Sequence, residues 1–222
     1  MYFFENASRL YFVTKNQFLL QRLTEFVSCR NTFYTDELVI CLDRANIIQG
    51  MKRLQAYRYE LMPNGDQLRA MRRFSGSCRF VYNKALALQK ENHEAGNKFI
   101  GYVAMAAKLP VWKREAETAW LKETPSQALQ HALKDLEKAF KGFFAKRTGF
   151  PRFKKKGSGD SFRYPEPKKI KLDQSNSRIL LPKLGWLRYR NSRKALGQVR
   201  NVTVSQSGGK WFIAIQTQRE LE

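Results

Sequence analysis

Arg152, Lys154, Lys155 and Lys156 crowd into a run reading GFPRFKKKG between Gly149 and Gly157. Cations at that density have one obvious chemistry, the neutralisation of phosphate oxygens, a contact blind to base sequence and steeply weakened by salt. A merely solvated basic loop is the other reading. Phe153, set among them, is expected to anchor the loop to the core, with stacking on a base as the alternative. Nothing else along the chain resembles a catalytic constellation: there is no phosphate-cradling glycine loop and no Ser, His, Asp arrangement. Glu115 and Glu117, like Asp135 and Glu137, are two apart on helices and do not face each other, so they read as surface charges. Cys29, Cys41 and Cys78 show no CxxC spacing and have only His93 and His131 for company, which supports neither a zinc site nor a disulfide framework. No metal and no cofactor are expected.

The element leading into this arm is a helix. Thr124 is placed to cap it, with Pro125 at the first helical position and Gln127 closing back onto the cap amide. Leu129, Leu133, Leu136, Phe140 and Phe143 then recur at three- and four-residue intervals and line one face, which must be buried. Ser126, Gln130, Lys134 and Lys141 fall elsewhere on its surface.

Charge extends the same argument to the whole chain. The net charge is +22 over 222 residues, large enough that self-repulsion favours a polyanionic partner. Residues 1–50 contribute nothing to it, and residues 141–200 carry 18 Lys and Arg against Asp160, Glu166 and Asp173, a net of +15. Nucleic acid fits this footprint better than an acidic membrane. No apolar run approaches the ~20 residues of a membrane-spanning helix, and no signal peptide is visible. The expectation is a cytoplasmic, nucleoid-associated protein with no membrane partner.

In chain order, residues 1–50 show no sustained period and read as poorly defined. The composition break predicts that Met51 is the natural start and the preceding stretch an upstream leader; a genuine N-terminal appendage is the alternative. KRLQAYRYELM, from Lys52 to Met62, alternates as a strand does. Asn64 and Gln67 make a helix start, and Leu68, Met71, Ser75, Cys78, Tyr82, Ala85 and Leu88 follow at helical spacing through the sequence RFVYN at 79–83. Two shorter helices, Phe99 to Lys108 and Lys113 to Lys122, are expected on either side of Pro110, with Trp112 and Trp120 as core anchors or, alternatively, base-stacking rings. Past Gly157 comes a basic loop or edge strand, then two strands or one kinked strand within Arg178 to Arg190, interrupted by Pro182 and Gly185. A hairpin closes the chain, Val199 to Ser205 and Lys210 to Gln218 turning at Ser207, Gly208 and Gly209. Val202 and Val204, with Phe212, Ile213, Ala214 and Ile215, would supply an apolar wall. The class is α+β.

Several collinear segments make the chain from residue 51 to about 219 resemble the N-terminal half of the OrfB or TnpB proteins of insertion sequences, relatives of the type V CRISPR nucleases. They are RFVYN, WLKETPSQALQHALKDLEKAFKGFF at 120–144, GFPRFKKKG, SFRYP at 161–165, LPKLGW at 181–186, NVTVS at 201–205 and GGKWF at 208–212. The resemblance implies a small β-barrel, residues 51–63 and 149–219, split by an inserted helical domain, residues 64–148. It implies guide RNA and double-stranded DNA as partners, with Tyr102, Ser126 and Gln130 near the motif-bearing duplex, and places Arg163 of SFRYP beside Arg152 and Lys154–Lys156 as a phosphate or RNA contact. Gln130 shares a face with Ser126 and could read an adenine edge, or be simply solvated. Arg79 and Asn83, also on one helical face, join the DNA-binding set, while Tyr82 reads as core. The family's RNase H-like nuclease domain would begin where this sequence stops. The expectation is therefore a truncated transposition protein that binds nucleic acid and is not an enzyme. The alternatives are a nuclease-dead regulator and one half of a split RNA-guided nuclease completed by a downstream fragment.

Overall fold

The computed structural model describes residues 52–220; the expectations for residues 1–50, for Met51, and for Cys29 and Cys41 lie outside the described residues. Strand β1, Lys52–Met62, alternates so that Tyr57, Tyr59 and Leu61 are buried while Leu54 and Arg58 face out. β1 is central. Lys52–Glu60 pair antiparallel with β7, Lys210–Glu220, and Leu61–Met62 pair antiparallel with β5, Gly185–Tyr189. β6, Gln198–Ser207, forms a hairpin with β7 through Gly208 and Gly209. Both glycines have positive φ, +55° and +75°, the left-handed geometry that a two-residue turn between twisted strands requires.

The remaining strands extend this sheet on both sides. β2, Ser161–Tyr164, pairs with β6; β4, Arg178–Leu181, pairs with β5 and with β3, Lys171–Asp173. The order is β2-β6-β7-β1-β5-β4-β3. Among the described residues no backbone ladder joins β2 to β3, so the sheet is not closed as the expected barrel would be. Instead the Tyr164 hydroxyl donates to the Pro182 carbonyl at 3.0 Å, linking β2 to the β4–β5 turn by a side chain. Val202, Val204, Trp211, Ile213 and Ile215 are buried. The expected wall needs one change: Phe212 and Ala214 alternate onto the other face, where the Arg58 guanidinium lies 4.1 Å from the Phe212 ring centre.

Apart from a short 3-10 turn at Pro167–Lys169, the helices lie between β1 and β2 in sequence, and they pack on the β2 side of the sheet. Helix α1, Gly65–Glu94, starts on a capping box: the Asn64 side chain accepts from the Gln67 amide, and the Gln67 side chain accepts from the Asn64 amide. The Gln67 Nε2 also donates to the carbonyls of Leu184 and Trp186, fastening the helix start to β5. Met71, Phe74, Cys78, Val81, Tyr82, Ala85 and Leu86 bury one face. Phe74 meets Phe162 of β2 edge-on at 5.8 Å.

α2, Tyr102–Ala107, and α3, Leu109–Arg114, precede a 3-10 helix, Ala116–Glu123. Pro110 does not separate two helices, as expected, but sits in the first turn of α3, where its missing N–H costs nothing. Helix α4, Ser126–Phe144, buries Ala128, Leu129, Ala132, Leu133, Leu136 and Phe140, with Phe143 partly covered. Thr124 does not cap it. That side chain is turned inward, its hydroxyl donating to Ser77 Oγ at 2.7 Å, and the N-cap position is Pro125, without a side-chain cap. Trp112 is buried as expected, whereas Trp120 is 42% exposed and is no core anchor: its indole N–H is satisfied locally by the Glu117 carbonyl.

Candidate nucleic-acid interface

The basic arm is held in place by the RFVYN segment of α1. Asn83 uses both ends of its carboxamide: Nδ2 donates to the Lys154 carbonyl at 3.0 Å, and Oδ1 accepts from the Lys154 amide at 2.8 Å. One side chain thus acts on the arm as a neighbouring strand would. One turn earlier, Arg79 Nη1 lies 2.6 Å from Asp160 Oδ1, the two side chains being 21% and 11% exposed. Asp160 in turn accepts from the Gly157 amide through Oδ2 and, through its backbone carbonyl, from the Gln206 amide. The arm is therefore pinned at both ends, at Lys154 and at Gly157–Asp160.

Its cations are distributed by that pinning. The Lys154 ammonium sits 4.3 Å from the centre of the Tyr82 ring, while Arg152, Lys155 and Lys156 are exposed. Phe153 is 46% exposed, contrary to the expected core anchor; the buried residue is Pro151, and Lys90 covers the Phe153 ring at 4.8 Å. Arg163 lies outward on β2, its Nε donating to Thr203 Oγ1 at 3.0 Å. Below the arm, burial pushes the Cys78 thiol up to about 12, only partly offset by the Lys154 charge. It is a packed thiol, not a nucleophile.

The other expected residues lie along α4, Ser126 and Gln130 at its start and Tyr102 beside its middle. Ser126 is exposed, and its Oγ accepts from Lys113 Nζ at 2.7 Å. Burial, then the nearby Lys183 charge, holds the Lys113 ammonium below the ordinary lysine value. Lys183 itself donates to the carbonyls of Lys122 and Glu123 at the end of the 3-10 helix. Gln130 is exposed one turn beyond Ser126. Tyr102 is half-buried further along: its amide donates to Glu137 Oε1, and the Lys134 ammonium stands 5.2 Å from its ring centre. At 1.5 Å rise per residue, Lys134 lies about 12 Å along the axis from Ser126. Tyr102 is thus nearer to the turn after Gln130 than to Ser126.

A groove of about 940 Å³ runs between α1 and the 3-10 helix. Arg79 and Asn83 stand on one wall, Thr124 on the other, and Phe80 meets Trp120 at 5.1 Å. Arg73, Phe80 and Lys84 belong to this surface and were not singled out from sequence, whereas Trp120, weighed there as a core anchor or a stacking ring, lines it too. The signal was there in part: Arg73, Gly76, Phe80, Asn83 and Ala87 recur at helical spacing on the face beside the core stripe. No helix among the described residues is long and apolar enough to cross a membrane. Nor do three or more His, Cys, Asp or Glu side chains gather there as a metal set.

Comparison with known proteins agrees with the region, and partly with the architecture. A family of OrfB insertion-sequence proteins, described as a helix-turn-helix domain, matches residues 51–98. In this chain those residues form β1 and the unbroken 30-residue helix α1 rather than two helices about a turn. The chain is 64% identical over 171 residues to InsQ of Escherichia coli K12, a protein named as a candidate RNA-guided DNA endonuclease, with 77% of this chain and 42% of InsQ covered. A Streptomyces pristinaespiralis protein, also named as a candidate RNA-guided DNA endonuclease, is 33% identical over 174 residues, with 76% and 42% covered. The virulence protein VsdF of Salmonella dublin is 30% identical over 112 residues, which make up 46% of this chain and 94% of VsdF. The chain spans less than half the length of the two endonuclease-named relatives.

Proposed function

The chain belongs to the OrfB/TnpB family of insertion-sequence proteins, and from that premise we propose that residues 52–220 bind nucleic acid in DNA transposition, and do not themselves cut it. The observation that carries the proposal is the pair of hydrogen bonds between the Asn83 carboxamide and the Lys154 backbone. It fixes a dense run of cations beside a groove, which is how a phosphate backbone is gripped without base selection. Arg152, Lys154, Lys155, Lys156 and Arg163 hold the phosphates of a structured RNA, the guide that the relatives' names imply. Ser126 and Gln130 present hydrogen-bonding groups to duplex DNA, with Tyr102 beside them. Arg79 and Asn83 act through the arm as positioning residues, since Arg79 Nη1 is held by Asp160 and both ends of the Asn83 carboxamide by Lys154. The strand order supports an open version of the split barrel, with residues 64–148 as the helical insert and residues 51–63 and 149–219 as the sheet.

The test is a salt titration of the full chain against an RNA hairpin and a DNA duplex. Replacing Lys154, Lys155 and Lys156 by Gln is expected to flatten the log affinity against log salt slope by about 2 to 3. Gln130→Ala is expected to leave that slope alone and to relax preference at one base position by about 1–3 kcal/mol. An unchanged slope in the triple variant would sink the assignment. A second reading, a binder that blocks DNA without any nuclease, draws on VsdF, of which 94% aligns with part of this chain. It predicts guide-independent retention on duplex DNA in the same titration.

A further inference from the structure

The C-terminal ends of α1 and α4 enclose a second cavity, of about 560 Å³, walled by Phe99, Phe140, Phe143, Phe144 and Phe150. Only Phe140 is fully buried. Phe99, Phe144 and Phe150 are 39%, 58% and 44% exposed, an unusual concentration of bare rings for a chain of net charge +22. The rings brace one another: Phe140 and Phe144 stack at 5.9 Å and 29°, and Phe150 meets Phe143 edge-on at 5.3 Å. We propose that this cavity accepts an unpaired nucleobase of a strand whose phosphates lie on the basic arm.

Three observations select a base over other apolar occupants. The first is continuity with the arm: Phe150 is four residues from Lys154, at most about 14 Å along the chain, and the Lys90 ammonium lies 5.7 Å from the Phe150 ring and 4.8 Å from the Phe153 ring. One cation serves both the cavity and the arm. The second is charge. Lys141, Lys146, Arg147 and Arg152 flank the phenylalanines in sequence and are exposed, which suits a polyanion and disfavours a basic or neutral protein helix. The third is the polar rim. Gln89 is consumed by the amide and carbonyl of Ile100, and Asn92 donates to the Lys98 carbonyl. The His93 and Asn97 side chains are exposed, and both line the cavity. They are left to meet the polar edge of a base whose faces lie against rings.

This inference rests on the arm as a phosphate contact, and the test separates the two. Binding of the full chain is measured to an oligouridylate of about 12 nucleotides and to an abasic strand of equal length. The wild type is expected to prefer the base-bearing strand. Phe144→Ala is expected to weaken that strand by about tenfold while leaving the abasic strand unchanged, the size of one lost stacking contact. Phe144→Trp should restore it. Equal loss on both strands, or none on either, overturns the base pocket while the arm assignment stands. Failure of the wild type to bind either strand brings down both. A change in sedimentation with Phe144→Ala and no change in binding overturns the pocket in favour of a second copy seated on the rings. Because Phe144 is mostly exposed, the variant should keep its fold; a 4-thiouridine strand provides an independent readout, expected to cross-link within residues 140–153. A cross-link confined elsewhere overturns the proposal.

Discussion

Asn83 spends both ends of one carboxamide on the backbone of a residue 71 positions away. Both hydrogen bonds are partly open to solvent, so their net worth to stability is modest, about 1 kcal/mol together. Their worth to the arm is larger, because a preordered cation run loses less side-chain and loop entropy on meeting phosphate. Asn83→Ala is therefore expected to lower the melting temperature little while exposing the Lys154 amide to exchange with solvent. Hydrogen exchange at Lys154 measures this directly, and unchanged protection there would contradict it. Arg79 does comparable work at the other end, but its partner Asp160 is nearly covered, so loss of that guanidinium would strand a buried carboxylate as well as free the loop.

At the scale of elements, α4 joins the start of the candidate DNA surface to the aromatic cavity, and its inner stripe holds both in place. Leu133 is 2% exposed at the middle of that stripe. Leu133→Ala is expected to cost about 2–5 kcal/mol, read as a lower denaturant midpoint with little change in slope; a loss under 1 kcal/mol would mean the helix is not seated as described. This stripe was legible from spacing alone, as were the Asn64–Gln67 capping box and the Gly208–Gly209 hairpin, because each is written within a few neighbouring residues. The failures share a different origin. Thr124 had the right neighbours for a cap, but Ser77, 47 positions earlier, takes its hydroxyl. Trp120 and Phe153 are large aromatic residues that local composition assigns to a core, whereas Glu117 and Lys90 allow them to remain at the surface. Asn83 was expected to meet DNA, and its clamp on Lys154 was not legible, since no periodicity encodes a pairing across 71 residues.

For the whole molecule, the excess of positive charge makes each remaining carboxylate matter. The Glu60 carboxyl is held below the usual range first by its hydrogen bond from Lys210, Glu137 by that from Lys141, and Asp173 by Asn176 and then Arg178, down to about 2. These groups stay ionised in the folded chain at pH values where the unfolded chain has taken up protons. The stability they lend is thus present above the unfolded carboxylate values of about 4 to 4.5 and is lost as pH falls through the lowered folded values, about 2 for Asp173. Neutralising them also removes part of the counterweight to the cations. Melting temperature is expected to fall steadily from pH 5 to pH 2.5, with added salt recovering part of the loss; a flat profile would contradict this. The central position of β1 carries a different consequence, one of time. Lys52 pairs with Glu220, about 170 residues later, so on a ribosome adding about 5–20 residues per second the strand waits roughly 10–30 s for its principal partner. Throughout that interval Tyr57, Tyr59 and Leu61 have no hairpin to cover them, and a chaperone that holds extended apolar segments would find its binding site at the start of this domain rather than at its end.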